Sequence, residues 1–341
     1  MSLTFEVLGG PDQDNALLVR LDSGQSITRL LFDCGEGCLR RVPAGDLLGL
    51  DHLFFSHLHM DHVGGFDTFF RLLYQRNTKP NHLWGPPETR RILQHRLQGF
   101  MWNLHDSMQA TWHICDIHPE RLESARFELS EAFAVAHPAP SRGYERVILD
   151  EPAFTVEALT MDHQTPVIAY LVREKARSNL DPEKLAALGL APGPWMQLLK
   201  SNPAGLAGVE IQGRSYQIAW LREQLLVTTG GASIACLTDF LLDDNAAGRL
   251  EVFLQGCQTL VCESQYRAAD LSLAQRHFHM ITTQAAQLAQ RVQPQRLILI
   301  HLSSRYQEAD WLEMLEEARS IFPATEFPAG WNLPNRSGNG V

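Results

Sequence analysis

The chain has 341 residues, 45% of them hydrophobic and 20% charged, a composition that suits an ordinary globular protein with length enough for a large core. No apolar run is long enough to cross a bilayer as a helix, so no membrane partner is expected, and six scattered cysteines without CxxC pairs argue against a disulfide framework. The formal charge of −10 excludes a protein that is basic along its whole length, so any nucleic-acid site must be a local patch. With no positive start and apolar stretch ahead of Thr4-Phe5-Glu6-Val7-Leu8, the expectation is a cytoplasmic protein with reduced thiols.

Three short apolar runs, Leu3–Leu8, Ala16–Leu21 and Ile27–Phe32, are separated by Gly9-Gly10-Pro11 and Asp22-Ser23-Gly24, a spacing that predicts a meander of strands. The third run leaves through Asp33-Cys34-Gly35-Glu36-Gly37, where Asp33 is either a plain turn carboxylate or a partner behind a metal-bound histidine. Leu53-Phe54-Phe55 then predicts a buried strand that opens into Ser56-His57-Leu58-His59-Met60-Asp61-His62-Val63-Gly64-Gly65. In an extended segment His57 and His59 point the same way, while Asp61 and His62 follow on the turn and can face a neighbouring point. One loop can therefore serve two ions. Imidazole and carboxylate ligands suit zinc and its neighbours, and a site without thiolates keeps the ion a strong Lewis acid able to make hydroxide from water near neutral pH. The pattern is that of a catalytic metal site.

Helical periodicity follows over Phe66–Arg76 and Pro87–Gly99, the second carrying Arg90, Arg91, His95 and Arg96 as a solvated face or a first candidate for a basic patch. Residues 100–150 show no clear element, and His105, His113, His118 and His137 lie there without ligand spacing. Phe154–Met161 reads as a strand ending at Asp162-His163, with another strand over Val167–Val172; His163 and His137 compete as a further ligand, and spacing favours His163. From Arg173 to about Trp220 the core pattern stops, and a helical piece, Pro182–Leu188, leads to a stiff Pro192-Gly193-Pro194 corner. Such an excursion is a variable surface loop or an arm that grips something. Strands over Ala232–Leu237, Thr259–Cys262 and Arg296–Ile300 then deliver Asp239, Glu263 and His301 at their C-terminal ends, with a helix over Thr282–Val292.

These residues assemble into two ligand sets: His57, His59 and His163 on one ion; Asp61, His62 and His301 on the other; Asp239 bridging. Two divalent ions leave such a site net positive, so it should attract an anion, with a metal-activated hydroxide to attack a phosphorus or carbonyl centre. His279 is a candidate proton donor for the leaving group, oriented by Glu263.

His57-Leu58-His59-Met60-Asp61-His62 resembles the HxHxDH motif of the metallo-β-lactamase superfamily, and further segments resemble its ribonuclease Z branch, the tRNA 3′-processing endonucleases. Asp33-Cys34-Gly35-Glu36-Gly37 is similar to that branch's DCGEG turn; Cys262-Glu263-Ser264 stands at its HEA; Leu297–Tyr306 is similar to its LILTHxSxRY segment; Ala191-Pro192-Gly193-Pro194 matches the corner of its tRNA-gripping arm. Differences fall at Leu8-Gly9-Gly10-Pro11, at Thr238-Asp239-Phe240 and at His279-Met280-Ile281. The resemblance implies a single α/β domain over residues 1–341, an αββα sandwich, with an inserted arm over residues 174–220 acting as a tRNA exosite through Gly193 and Pro194. It also implies two Zn²⁺ per chain, with Mn²⁺ or Fe²⁺ as substitutes, and a homodimer acting on precursor tRNA. Asp61 would be base as well as ligand, His279 with Glu263 the proton-donating pair, and Ser304 and Arg305 contacts to the substrate phosphate. Cleavage would release the 3′ trailer. A relative acting on small phosphodiesters or esters through the same metals is the alternative, and a non-catalytic RNA- or partner-binding relative is a third.

Overall fold

Alternating apolar residues set the first sheet. Ser2–Leu8, Ala16–Asp22 and Ile27–Phe32 form an antiparallel meander that pairs Leu8 with Ala16 and Leu17 with Phe32. The sheet continues into parallel strands His52–Phe54, Asn81–Gly85 and Thr111–Ile117, then returns antiparallel at Arg121–Glu128. The structure is a computed structural model describing residues 2–201 and 206–333, and among the described residues this sheet has nine strands and a second has seven. The second runs Val147–Asp150, Phe154–Asp162, Pro166–Glu174, Ser233–Leu237, Thr259–Glu263, Arg296–Ile300 and Thr325–Glu326, the last four parallel. Parallel strands send their C-terminal ends to one side, and the loop at Ser56 and the residues after Leu237 and Ile300 all leave there.

The period of two decides which residues meet between the sheets. Leu17, Val19, Leu30, Phe32 and Phe54 face Val156, Ile168, Tyr170 and Val172 in one core. Phe54 stacks on Phe32 at 5.0 Å and meets Tyr170 at 5.4 Å, and the Tyr170 hydroxyl donates to the Phe55 carbonyl at 2.7 Å. Leu18, Leu31, Leu53, Leu83 and Ile114 point the other way, onto helices Phe66–Leu73 and Thr89–Gln98. Phe66, Phe69, Phe70 and Leu73 have the spacing of one helix face, and all are buried. Helices Asp244–Phe253, Thr282–Val292 and Glu308–Arg319 cover the second sheet through Leu250, Ala285, Ala289, Met314 and Ala318. The order is helix, sheet, sheet, helix. Each large apolar side chain so buried contributes on the order of 1.5–3 kcal/mol.

Two helices are shorter than their periodicity predicts. The first stops before Arg76, whose guanidinium turns inward to cap the Leu48, Leu50 and Pro80 carbonyls. The second starts only at Thr89, because Glu88 takes a left-handed conformation at φ 81° and the Thr89 hydroxyl closes the turn on Pro86. Residues 100–150, without a predicted element, hold two core strands, Thr111–Ile117 and Arg121–Glu128. Their alternation is broken by polar side chains on the inner face: His113 stacks on His82 at 5.0 Å, and His82 meets His52 at 5.1 Å, one imidazole from each of three parallel strands. Burial pushes His52 down to about 3 and His82 to about 4, so this row is neutral.

Glu174–Ala232 forms a compact unit of its own. Arg177–Leu180 pairs antiparallel with Leu226–Thr229, so the unit extends past Trp220 through helix Ile218–Leu225. Asp181 caps helix Pro182–Ala187 by accepting from Glu183 and Lys184, with proline at its first turn. The hairpin Gly208–Ile211 with Arg214–Gln217 turns on Gln212 and Gly213, both at positive φ, the geometry that two-residue hairpins favour. Leu185, Trp195, Leu199, Ile211, Leu221 and Leu225 supply a small core.

Candidate metal centre

Strand His52–Phe54 ends in a loop whose residues are fixed from behind before any of them faces the centre. Asp33, just past strand Ile27–Phe32, accepts from the Ser56 amide at 2.7 Å, from the Ser56 hydroxyl at 2.7 Å and from His62 Nδ1 at 2.8 Å. The Ser56 oxygen in turn lies 3.1 Å from His57 Nδ1. His163 Nδ1 donates to the Phe278 carbonyl at 2.8 Å. Each contact occupies one ring nitrogen and leaves Nε2 of His57, His62 and His163 directed inward, the arrangement that orients metal-binding imidazoles. His59 is the N-cap of a short helix, Met60–Val63, and that helix carries Asp61 and His62.

Three site residues stand at strand ends in the left-handed region: Asp33 at φ 60°, Asp239 at φ 52° and His301 at φ 56°. One such residue turns the chain sharply and swings its own side chain across the strand end, at a cost of roughly 1–3 kcal/mol that the surrounding structure offsets. Asn15 helps hold His301: its Oδ1 accepts from the His301 amide at 2.9 Å while its Nδ2 donates to Gly10 at 3.0 Å. Sequence reasoning missed Asn15, Ser56 and the Phe278 carbonyl. A buried asparagine far along the chain from its partner, or a backbone oxygen, leaves no pattern to read.

The side chains converge in three neighbouring groups, the second and third sharing Asp239 and His301. Ligand atoms of His57, His59 and His163 lie within 4.8 Å of one another, as do those of Asp61, His62, Asp239 and His301, and those of Asp239, Glu263, His279 and His301. His57 Nε2 is 3.0 Å from His59 Nδ1 and 3.6 Å from Asp239 Oδ2; His62 Nε2 is 3.1 Å from the same oxygen. Asp61 Oδ2 is 3.4 Å from His62 Nε2 and 3.5 Å from His301 Nε2. Donor atoms about 2.1 Å from a shared ion at tetrahedral angles sit about 3.4 Å apart, so these separations suit divalent ions. The buried Nδ1 of His301 has no hydrogen-bond partner although Asp239 Oδ1 is 3.2 Å away, an orphaned atom that a cation would satisfy. Imidazole and carboxylate donors with no thiolate fit a divalent metal, and Asp239 links the first two groups, its Oδ2 facing His62 and His57 while its Oδ1 faces His301.

Electrostatics favour the same reading. Burial, with His62 close by, holds His57 well below the usual imidazole range, and burial lowers His163 too, so both are neutral and ready to ligate. Burial disfavours charge on His62 and His301, yet Asp239 raises both, with Asp33 acting on His62 and Asp61 on His301.

His279 and Glu263 form the edge of the site. His279 Nδ1 lies 3.0 Å from Glu263 Oε2, and the other Glu263 oxygen accepts from the Phe240 amide at 3.0 Å. Burial opposes protonation of His279, but the adjacent Glu263 carboxylate raises it above its ordinary value. Its ring is 4.7 Å from His163 and 5.7 Å from His301. Arg305 is exposed and lies over the Tyr266 ring at 5.3 Å, Tyr266 itself being 5.9 Å from His279; Ser304 is exposed beside it. His137 is elsewhere, bonded to Glu131 at 2.7 Å. Gly193 and Pro194 lie in the separate unit, where Gly193 passes so close to Trp195 that a Cβ would meet the indole at 3.1 Å.

Residues 11–152 match the profile of the family described as Anti-Pycsar protein Apyc1. Among solved structures, the metallo-β-lactamase fold protein YhfI from Bacillus subtilis superposes with a TM-score of 0.54 at 16% identity, covering 95% of both chains. Human tRNase Z, short form, superposes with a TM-score of 0.50 at 18% identity, covering 90% of this chain and 94% of that one. The chain therefore has the metallo-β-lactamase fold. Ribonuclease Z of Deinococcus radiodurans is 47% identical over 329 residues, covering 96% of this chain and 98% of the relative, and with that extent of identity this chain belongs to the ribonuclease Z family.

Proposed function

We propose that this protein is a zinc-dependent endoribonuclease that removes the 3′ trailer from precursor tRNA. The observation that carries the reading is the His57–His59–His163 group beside the Asp61–His62–Asp239–His301 group, with Asp239 Oδ2 3.1 Å from His62 and 3.6 Å from His57 and a His279–Glu263 pair adjacent. In the reading, His57, His59 and His163 would hold one Zn²⁺, Asp61, His62 and His301 the other, and Asp239 would serve both. Bound divalent ions would supply Lewis acidity toward the phosphodiester and lower the pKa of water. Asp61, more exposed than His62, Asp239 and His301, takes a proton from the attacking water in this reading. His279 gives its proton to the departing ribose oxygen, and Glu263 stabilises the charged imidazole and fixes its ring. Arg305, free of carboxylate partners among the described residues, pairs the phosphate, with Ser304 as a hydroxyl donor. The unit at Glu174–Ala232 grips the body of the tRNA through its Gly193-Pro194 corner. The active form is a cytoplasmic homodimer.

The test is incubation of the purified protein with a 3′-extended pre-tRNA, beside an Asp61→Ala variant and a chelator control. A cut next to the discriminator nucleotide that vanishes in both controls supports the reading. An intact tRNA, with a chromogenic phosphodiester hydrolysed in an Asp61- and metal-dependent manner, would replace it with a small-phosphodiester hydrolase.

A further inference from the structure

Four arginines lie over an aromatic ring among the described residues: Arg96 over Phe66, Arg146 over Phe253, Arg296 over Phe5 and Arg305 over Tyr266. The first three also donate to oxygen, Arg96 to the Val63 carbonyl at 2.7 Å, Arg146 to the Glu157 carboxylate and Arg296 to the Thr259 hydroxyl at 3.1 Å. The Arg305 guanidinium has the Tyr266 ring at 5.3 Å and, among the described residues, no hydrogen-bond or carboxylate partner. Attraction to a ring uses the charge of the cation and none of its N–H groups, so the whole fork stays open to an anion. An arginine free in solvent gives up its rotamers when it binds, whereas one already held on a fixed ring gave them up beforehand.

Tyr266 is fixed on both sides, and it is only 6% exposed. Its amide donates to the Met280 carbonyl at 3.2 Å, and its carbonyl accepts from the Thr282 amide at 2.9 Å and the Thr282 hydroxyl at 3.1 Å, which ties it to the chain leaving His279. On the other side the Ser303 amide donates to the Gln265 carbonyl at 3.2 Å, and the Arg267 amide donates to the Tyr306 hydroxyl at 3.2 Å. The residues before and after Tyr266 therefore hold those that flank Ser304 and Arg305. One ring neighbours both groups: the His279 imidazole, 5.9 Å between centroids, and the Arg305 guanidinium.

We propose that Tyr266 is a positioning residue for the reaction: its ring holds Arg305 beside His279, so that the guanidinium binds the same phosphate whose leaving oxygen takes the His279 proton. The proposal rests on the endoribonuclease reading for the roles of His279 and Arg305. The working part of Tyr266 is the face of the ring, and its hydroxyl takes no part.

The experiment measures kcat/KM on a 3′-extended pre-tRNA and on a p-nitrophenyl phosphodiester for Tyr266→Phe, Tyr266→Leu, Arg305→Ala and the Tyr266→Leu/Arg305→Ala double variant, each compared with the wild type in melting temperature and bound metal. Arg305→Ala should lose about 30-fold and Tyr266→Leu about tenfold, Tyr266→Phe should recover most of the second loss, and the double variant should be no worse than Arg305→Ala alone. A ring that only braced the fold would cost as much without Arg305 as with it, so a further loss in the double variant overturns the proposal. So does Tyr266→Phe as poor as Tyr266→Leu, which would give the work to the hydroxyl, and so does either Arg305→Ala or Tyr266→Leu at the wild-type rate. Where the leucine variant fails to fold or to bind metal, trifluorophenylalanine at position 266 takes its place, since it keeps the shape of phenylalanine and withdraws only the negative face of the ring. It should be slower than Tyr266→Phe when Arg305 is present and equal to it in the Arg305→Ala background; equal rates in both backgrounds overturn the proposal. If the wild type leaves pre-tRNA intact but hydrolyses the small phosphodiester, the endoribonuclease reading fails on its own account and the same series on the small substrate decides the role of Tyr266. Hydrolysis of neither overturns both.

Discussion

Asp33 uses both carboxylate oxygens within the protein, and that fixes what it can do. With Ser56 N–H, Ser56 O–H and His62 N–H all donating to it, it presents no face to the centre and acts only through the rings it orients. An Asp33→Asn substitution keeps the size but removes the charge and one acceptor, so His62 loses the partner that sets its tautomer. Metal affinity should fall about 10–100-fold, measured by competition with a chromophoric chelator; affinity equal to wild type would show that Asp33 is a plain turn residue. The same logic separates His279 from the ligands. In the proposed role it protonates a poor leaving group, so His279→Ala should lower kcat on RNA by about 10²–10⁴, while a p-nitrophenyl phosphodiester, whose leaving group needs no proton, should lose far less. Equal losses on both substrates would assign His279 to metal binding instead. At this scale the sequence was informative because ligands come in clusters and at strand ends: the loop from His57 to His62 announces itself. Asp33 stayed ambiguous because a turn aspartate and an orienting aspartate look the same until the His62 ring is placed beside it.

The strands were legible where one face is apolar and the other polar, as in Ser2–Leu8, and where a short run is buried throughout, as in Ser233–Leu237. Thr111–Ile117 and Arg121–Glu128 were not, since His113 and Asp116 stand in a buried sheet and interrupt the alternation. Asp116 is there to receive Arg90 from helix Thr89–Gln98, at 2.8 and 2.9 Å, so part of the basic cluster on that helix is internal cement and not a solvated face. Between the sheets, the Tyr170 hydroxyl reaches the carbonyl of Phe55, one residue before the loop that holds the ligands. Tyr170→Phe should therefore cost about 1–2 kcal/mol in urea unfolding, because the buried Phe55 oxygen is left without its donor. A change under a few tenths of a kcal/mol would mean that the contact does not brace the loop.

For the molecule as a whole, the separate unit at Glu174–Ala232 is the part whose role the metal chemistry alone does not define. It holds six cations and five carboxylates in a chain of net charge −10, so it is the less acidic portion. Arg173 and Ser233 face each other as register partners on neighbouring antiparallel strands, so the unit can be excised and the hairpin closed with an Asn-Gly turn. The excised protein should keep hydrolysis of a small phosphodiester and lose at least about 100-fold in kcat/KM on pre-tRNA, since binding energy remote from the reacting bond is what positions a large substrate. Retained pre-tRNA cleavage would remove the unit from substrate recognition.

The most direct measurement is the chemistry of the cut itself: cleave a 3′-extended pre-tRNA and identify both new ends. Water attacking under the control of Asp61, with His279 protonating the ribose oxygen, predicts one cut beside the discriminator nucleotide, a 3′ hydroxyl on the tRNA and a 5′ phosphate on the trailer. A 2′,3′-cyclic phosphate, or cuts scattered through single-stranded regions, would contradict it.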